Sequence, residues 1–281
     1  MTRIAFLDVD GTITDHGSVI APSTVEAVRQ ARANGHRVWL CTGRTEADIH
    51  PDVIDIGFDG IISNGGAYAT RDDDMLLARP MPRADVEALE DYFRAHGIHY
   101  FLQTHDAVHA SPGMAETMEQ FLRARHAQRA EDLAALGLPS DVDHRQRDLR
   151  DVADVDRDRV AKAVFVSPSP DTVAHAAAEL GEGFHVIPGS MPLPGGSNGE
   201  IGQAGVTKGS AITEVLGVLG LSATDAIGIG DSWNDVEMFE VVGTPVAMGN
   251  AEPELQRLAG RVTTAVLDDG VRNAFAELGL I

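Results

Sequence analysis

The chemistry this sequence offers lies mainly in four aspartates at two places in the chain. Asp8 and Asp10 stand in Asp8-Val9-Asp10-Gly11-Thr12, and Asp231 and Asp235 in Asp231-Ser232-Trp233-Asn234-Asp235. Each group directly follows a short apolar run, residues 3–7 and 226–230, of the kind that forms a buried parallel strand. The carboxyl ends of parallel strands converge, so the four carboxylates are expected to meet. Clustered carboxylates raise one another's pKa unless a cation compensates, and a hard ion with oxygen ligands, Mg2+ first, is the natural counterion. Any one of these aspartates alone is equally what a helix cap or turn uses, so the reading rests on the grouping.

Lys208 falls at the expected amino terminus of a helix, where the dipole disfavours a cation unless an anion is near; a solvated lysine remains the alternative. Thr42, Gly43 and Arg44 follow the second expected strand, where exposed amides and a hydroxyl could hold phosphate oxygens. Two nucleotide motifs fail. Thr207-Lys208-Gly209-Ser210 lacks the glycine that a P-loop places directly before its lysine, and Gly228-Ile229-Gly230 is followed by Trp233 where a dinucleotide fingerprint needs Gly or Ala.

These residues need elements to hold them. Ser23 and Glu26 form a capping box, Thr24, Ala27, Val28 and Ala31 line one helical face, and Asn34-Gly35 supplies the stop. Residues 36–41 read as the next strand, Thr45 with Asp48 as the cap of another helix, and residues 58–63 as a third strand ending in Asn64-Gly65-Gly66. This alternation predicts a doubly wound α/β sheet, with ligands beyond the carboxyl ends of its strands.

Near Met81-Pro82 the character changes. An amphipathic helix through Val86, Leu89 and Phe93 leads to a strand around residues 100–104 and a helix carrying Met114, Met118 and Leu122. Residues 141–159 alternate Asp and Arg and read as a solvated stretch of exposed ion pairs. An Ala-rich helix lies between strands at 160–166 and 184–187, and the Gly, Pro and Ser of residues 189–199 read as a return loop. Beyond Gly205 the α/β rhythm resumes: a helix opened by Thr207, the strand before Asp231, and a short strand at 245–248.

Composition narrows the function. The 281 residues carry 22 Lys plus Arg against 43 Asp plus Glu, a formal charge of −21, and 43% are hydrophobic. Such a field repels nucleic acid and anionic lipid, so neither is expected as a partner. Cys41 is the single cysteine and can form neither an internal disulfide nor a zinc site, which points to the reducing cytoplasm. No run approaches the length of a membrane span or a signal-peptide core, and a soluble, unprocessed monomer or homodimer is expected.

Asp8-Val9-Asp10-Gly11-Thr12, Thr42-Gly43-Arg44, Lys208 and Gly230-Asp231-Ser232-Trp233-Asn234-Asp235 together resemble the four ordered motifs of the haloacid dehalogenase superfamily of phosphohydrolases. Residues 235–239, 245–251 and Asp269-Gly270-Val271 resemble its Cof-like subfamily. The resemblance implies a mostly parallel, Rossmann-like core at 1–82 and 191–281, with an α/β cap at 83–190. It implies Asp8 as nucleophile, forming an aspartyl phosphate, and Asp10 as the acid that protonates the leaving oxygen and then activates water. Mg2+ would be held by Asp8, the Asp10 carbonyl and Asp231, with Asp235 supporting them from behind. Thr42 and Lys208 would bind the transferring oxygens, amides near Gly43 would add donors alongside Arg44, and Asn64, Gly65 and Asn234 would occupy loops facing the site.

The activity implied is a Mg2+-dependent phosphatase of small phosphorylated metabolites, sugar phosphates first. A sugar phosphomutase using the same aspartates, or a catalytically idle regulatory or binding protein, is the alternative. Asp10 argues against halide release, which has no alkoxide to protonate, and the lack of membrane spans argues against a P-type ATPase. In the cap, His99, Phe101, Gln103 and His105 share one strand face with His109 close by; they either meet the substrate or are ordinary sheet residues.

Overall fold

The computed structural model describes residues 2–15, 19–72, 74–119, 148–189 and 196–281. The chain forms two compact units. One comprises Met1–His16, Ile20–Arg79 and Gly205–Ile281, the other Gly17–Val19 and Pro80–Ala204. Among the described residues no helix is long and apolar enough to cross a membrane.

The first unit begins with β1 (Ile4–Leu7), α1 (Pro22–Ala33), β2 (Arg37–Cys41), α2 (Pro51–Ile54), β3 (Gly60–Ser63), β4 (Tyr68–Arg71) and β5 (Asp74–Ala78). The inserted unit follows with α3 (Arg83–His96), β6 (His99–Gln103), β7 (Val108–Ala110), β8 (Leu149–Asp151), β9 (Lys162–Ser167), α4 (Thr172–Leu180), β10 (Phe184–Pro188) and β11 (Ser197–Gln203). The first unit then resumes with α5 (Lys208–Leu219), β12 (Ala226–Gly230), α6 (Val236–Val241), β13 (Thr244–Ala247), α7 (Pro253–Ala259) and α8 (Gly270–Glu277).

The core sheet has the order β13-β12-β1-β2-β3-β4-β5. It is parallel from β13 to β3, and β4 and β5 add an antiparallel edge. Strand alternation sends Ala5 and Leu7 to one face, packed with Val28 of α1 and Phe275 of α8. Ile4 and Phe6 face the other way, with Trp39, Ile212 and Val215 of α5, and Met238 of α6. Both faces are apolar and covered by helices, as a parallel sheet requires. The alternating glycines of β12 have a packing cause: a Cβ on Gly228 would lie 2.8 Å from the Met238 side chain. That explains why Gly228-Ile229-Gly230 exists without serving a nucleotide.

Several local readings shift. Helix α1 starts at Pro22 with Ala21 as its cap, and the Ser23 hydroxyl is buried without a partner. Proline preset for the first helical position takes the place of the expected Ser23–Glu26 box. Gly35, at φ +86°, ends this helix as expected. Thr45 precedes only a single 3-10 turn, Glu46–Asp48. The third strand begins at Gly60, because Asp59 is engaged beforehand: its carboxylate accepts from the Val38 amide and from Arg32.

In the inserted unit the sheet order is β10-β11-β9-β6-β7-β8, antiparallel except for β7 with β8. Val86, Leu89 and Phe93 of α3 pack with Leu102, Phe165 and Ile201 on one face. Met114 and Met118 pack with Phe101 and Val108 in a separate cluster, so both methionines are core; Leu122 lies outside the described residues. His99 Nδ1 is 2.9 Å from the Pro112 carbonyl and His109 Nδ1 is 3.2 Å from that of Asp151, contacts that fix local structure. Of the Asp/Arg-rich stretch, residues 141–147 lie outside the described residues. Farther along, Arg157 holds the buried Glu90 at 2.6 and 3.0 Å, which is more than a solvated surface pair.

Residues 197–199, read from sequence as part of a loop, open strand β11. Their glycine serves a close approach: a Cβ on Gly199 would sit 2.5 Å from the Phe165 ring, whereas one on Gly202 meets nothing within 4 Å. Replacing Gly199 by Ala is therefore expected to destabilise the protein by roughly 1–3 kcal/mol through overpacking. Gly202→Ala is expected to be neutral or slightly stabilising. Urea denaturation of the two variants checks this, and equal midpoints would remove the ring contact as the cause.

Candidate active site

Strand β1 stops at Leu7, and the Asp8 amide still donates to the Ile229 carbonyl at 3.0 Å, which holds Asp8 at the sheet's carboxyl edge. The chain then turns tightly, with the amides of Thr12, Ile13 and Thr14 all directed to the Val9 carbonyl. Gly11 sits in this turn at φ +86°, and a Cβ there would lie 2.0 Å from Asp231 Oδ2. Its absence lets the Asp231 carboxylate reach the turn, where the Thr12 hydroxyl donates to Asp231 Oδ1 at 3.3 Å. Asn250 braces the same turn, donating to the Gly11 carbonyl and accepting from the Val266 amide, each at 2.9 Å.

Asp235 closes the loop after β12. Its Oδ2 accepts from the amides of Asp231 at 3.0 Å and Ser232 at 3.1 Å, and its Oδ1 accepts from Lys208 Nζ at 2.6 Å. A Cβ on Gly230 would lie 2.3 Å from the Asp235 carboxyl carbon, so that glycine is required by the loop's closure. Lys208 is fully buried at the first turn of α5, whose start is fixed by a reciprocal Thr207–Ser210 capping box. Its Nζ also donates to Asp8 Oδ1 at 2.7 Å and Asn234 Oδ1 at 3.1 Å, so all three ammonium protons are used.

The β2 exit loop is tied to the β3 exit loop. The Asn64 amide donates to the Arg44 carbonyl at 2.7 Å and the Gly65 amide to the Thr42 carbonyl at 3.0 Å. The Thr42 hydroxyl accepts from the Arg44 amide at 3.1 Å. The Arg44 guanidinium grips Asp10 through two bonds of 2.7 Å and also reaches the Asp48 carbonyl at 3.0 Å. Gly66 backs onto the start of α5, where a Cβ would lie 2.1 Å from the Thr207 carbonyl oxygen.

The structure thus gathers Asp8, Asp231, Asp235, Asn234 and Lys208 into one bonded set, with Asp10 and Arg44 as an adjoining ion pair. Thr42 and Gly43 lie in the same exit loop. The backbone amides of Asn64 and Gly65 brace that loop. Thr12, Asn250, Gly11 and Gly66 also shape the site, through contacts that the sequence pattern does not announce. Thr12 and Asn250 lie inside motifs visible in the sequence, but their partners are remote in the chain.

Electrostatics separates the two groups. Burial pushes the Asp8 carboxyl up to about 7, Lys208 opposing and Asp235 and Asp10 reinforcing. Burial likewise takes Asp231 up to about 9, with Asp8 and Asp235 adding and Lys208 opposing. Burial disfavours the Lys208 charge, yet Asp235 and Asp8 outweigh it and hold the ammonium well above its ordinary pKa. Asp10, followed by Asp48 and Asp8, keeps Arg44 firmly charged against its burial.

The Asp10–Arg44 pair is balanced, whereas the three buried carboxylates, if all ionised, would face one ammonium with two negative charges uncompensated, the conflict that lifts Asp8 and Asp231. Single oxygens of Asp8, Asp231 and Asp235 lie within 4.8 Å of one another. An all-oxygen donor set lacking two positive charges fits a hard divalent cation.

A model of the haloacid dehalogenase-like hydrolases matches residues 5–275, and the chain belongs to that family. It is 28% identical over 284 residues to YkrA of Bacillus subtilis strain 168, covering 100% of this chain and 99% of that one. It is 27% identical over 286 residues to the pyridoxal phosphate phosphatase YbhA of Escherichia coli K12, covering 98% and 97%. The fold superposes on that of the subclass IIB sugar phosphatase BT4131 with a TM-score of 0.80 at 20% identity, covering 100% of both chains. The protein is a phosphoric monoester hydrolase of this family, whose members generally use a divalent metal.

A divalent cation added to metal-free protein is expected to raise thermal stability, by about 2.7 kcal/mol at a hundred times its Kd. Asp231→Asn should lose most of that gain. Without metal the variant should be about as stable as wild type, because the neutral amide stands in for a carboxyl that burial, Asp8 and Asp235 already hold mostly protonated. Differential scanning calorimetry checks both statements; an undiminished gain in the variant would place the ion elsewhere.

Proposed function

We propose that the protein is a Mg2+-dependent phosphatase of small phosphorylated metabolites, with sugar phosphates the favoured class, and that it works through an aspartyl phosphate on Asp8. The observation that carries this reading is the bonded set itself: a carboxylate whose Oδ1 is fixed by a buried lysine, beside a group lacking two positive charges. The names of YbhA and BT4131 support phosphate monoesters as the substrate class.

The Asp8 and Asp231 side chains and the Asp10 carbonyl would hold Mg2+, which would supply positive charge against the repulsion between an anionic nucleophile and an anionic ester. Asp8 attacks phosphorus, forming an oxygen–phosphorus bond as the bond to the leaving oxygen breaks. Asp10 gives its proton to that oxygen. A water then forms a new bond to phosphorus, Asp8 is released, and the water's proton returns to Asp10. Lys208 orients Asp8 throughout and adds fixed positive charge where the transferring oxygens lie.

Arg44 has a particular part. Its two bonds occupy both Asp10 oxygens, so Asp10 can turn to the leaving oxygen only when that grip loosens. An incoming phosphate is a competing bidentate partner for the guanidinium. Substrate binding would thereby free Asp10 for acid catalysis.

Phosphate release from a panel of sugar phosphates and pyridoxal phosphate tests the proposal. Wild type with Mg2+ should turn over, and Asp8→Asn should lose about 10⁴-fold or more of its rate. EDTA should abolish release. Retention of activity by Asp8→Asn would exclude the covalent route, and transfer of phosphate between sugar positions without release would favour a mutase. Asp10→Asn should slow alkyl phosphates by about 10²–10⁴-fold, but p-nitrophenyl phosphate, whose leaving group needs little protonation, much less. Equal losses on both substrates would remove Asp10 from the acid role.

A further inference from the structure

A second cluster, in the inserted unit, has the donor set of a different kind of metal. His96 is the last residue of α3, while His175 and Glu179 lie one turn apart on the same face of α4. His96 Nε2 is 3.1 Å from Glu179 Oε2, and His175 Nδ1 is 3.7 Å from that same oxygen. One ligating atom from each of the three lies within 4.8 Å of the others, and all three side chains are exposed. An ion bound at 2.0–2.1 Å holds tetrahedral ligand atoms about 3.3 Å apart, so the observed separations need only small side-chain rotations, with water in the fourth position.

The surroundings hold the rings in this arrangement. Tyr92, one turn before His96 on α3, packs its ring 4.5 Å from that of His96, and its hydroxyl, 3.3 Å from His175 Nδ1, would yield that nitrogen to a bound ion. The two imidazoles meet edge to face with centroids 5.0 Å apart. A plain surface ion pair gains little from ordering three mobile side chains, whereas a metal rewards that ordering. Two imidazoles and one carboxylate suit Zn2+ and its late first-row neighbours and suit Mg2+ poorly. The net charge of −21 draws divalent cations toward the surface.

We propose that His96, His175 and Glu179 form a Zn2+-class site that clamps the carboxyl end of α3 to α4. It is separate from the buried carboxylate set, and its existence does not depend on the phosphatase reading.

Calorimetric titration of Zn2+ into the full chain at saturating Mg2+ tests it. One Zn2+ per chain is expected, accompanied by a rise in Tm. His96→Ala and His175→Ala should each weaken binding at least about tenfold, with Glu179→Gln as a variant that preserves side-chain shape. Unchanged Tm without Zn2+ and unchanged phosphate release with Mg2+ should show that these variants fold normally. His185→Ala should bind as wild type does, and Asp231→Asn should retain its Zn2+ because it alters only the carboxylate site. Zn2+ affinity undiminished in the His96, His175 and Glu179 variants, or lost in Asp231→Asn, would overturn the proposal.

Discussion

The buried ammonium of Lys208 is the constraint on which the core site is built. It donates to Asp8, Asp235 and Asn234 at 2.7, 2.6 and 3.1 Å and has no proton left for water. Breaking such a pair by removing one partner leaves a buried charge uncompensated, at a cost of about 3–5 kcal/mol. Three chain segments far apart in sequence are thereby fixed to one point: the end of β1, the start of α5 and the loop after β12. The reach of one lysine side chain sets how close these segments must come.

That closeness explains the glycines. Gly11 yields to the Asp231 carboxylate, Gly230 to Asp235, and Gly66 to the Thr207 carbonyl just before Lys208. In each place a side chain would occupy space already taken by a carboxylate or by backbone. The polar network and the tight backbone approaches are therefore one arrangement. A substitution at any of these glycines would displace a charged group as well as strain a turn. Asn250 belongs to the same arrangement, since it ties the turn after β1 to the Val266 amide and keeps Asp231's neighbour in place.

Much of this was legible in the sequence because it follows from local rules. Apolar runs ending in aspartate predict strands that deliver carboxylates to one edge, and the alternation of strands and helices predicts a doubly wound α/β sheet. The reciprocal Thr207–Ser210 cap makes good the expectation that Thr207 opens a helix. What stayed hidden depends on distant partners. Nothing near Arg44 announces that its guanidinium belongs to Asp10, 34 residues away, and nothing near Thr12 announces Asp231. Gly199 looked like a linker residue because its meaning lies in the Phe165 ring of the neighbouring strand. Pro22 displaced the Ser23 cap because a fixed φ at the first helical position competes directly with side-chain capping.

Charge finally constrains the order in which ligands reach the core site. A protein of net charge −21 repels a phosphate ester at long range, and where the phosphate would have to arrive the buried carboxylates outnumber the one ammonium, so without a cation they hold protons or repel the anion. The adjoining guanidinium, Arg44, is already committed to Asp10. Metal-free, the site therefore offers an anion little beyond the partly neutralised Lys208. The same field concentrates divalent cations, and a cation among Asp8, Asp231 and Asp235 removes the local deficit. Cation first and phosphate second is thus the sequence that the electrostatics favours. An acidic surface that seems ill suited to an anionic substrate then works in its favour, by keeping the cation that the substrate needs close at hand.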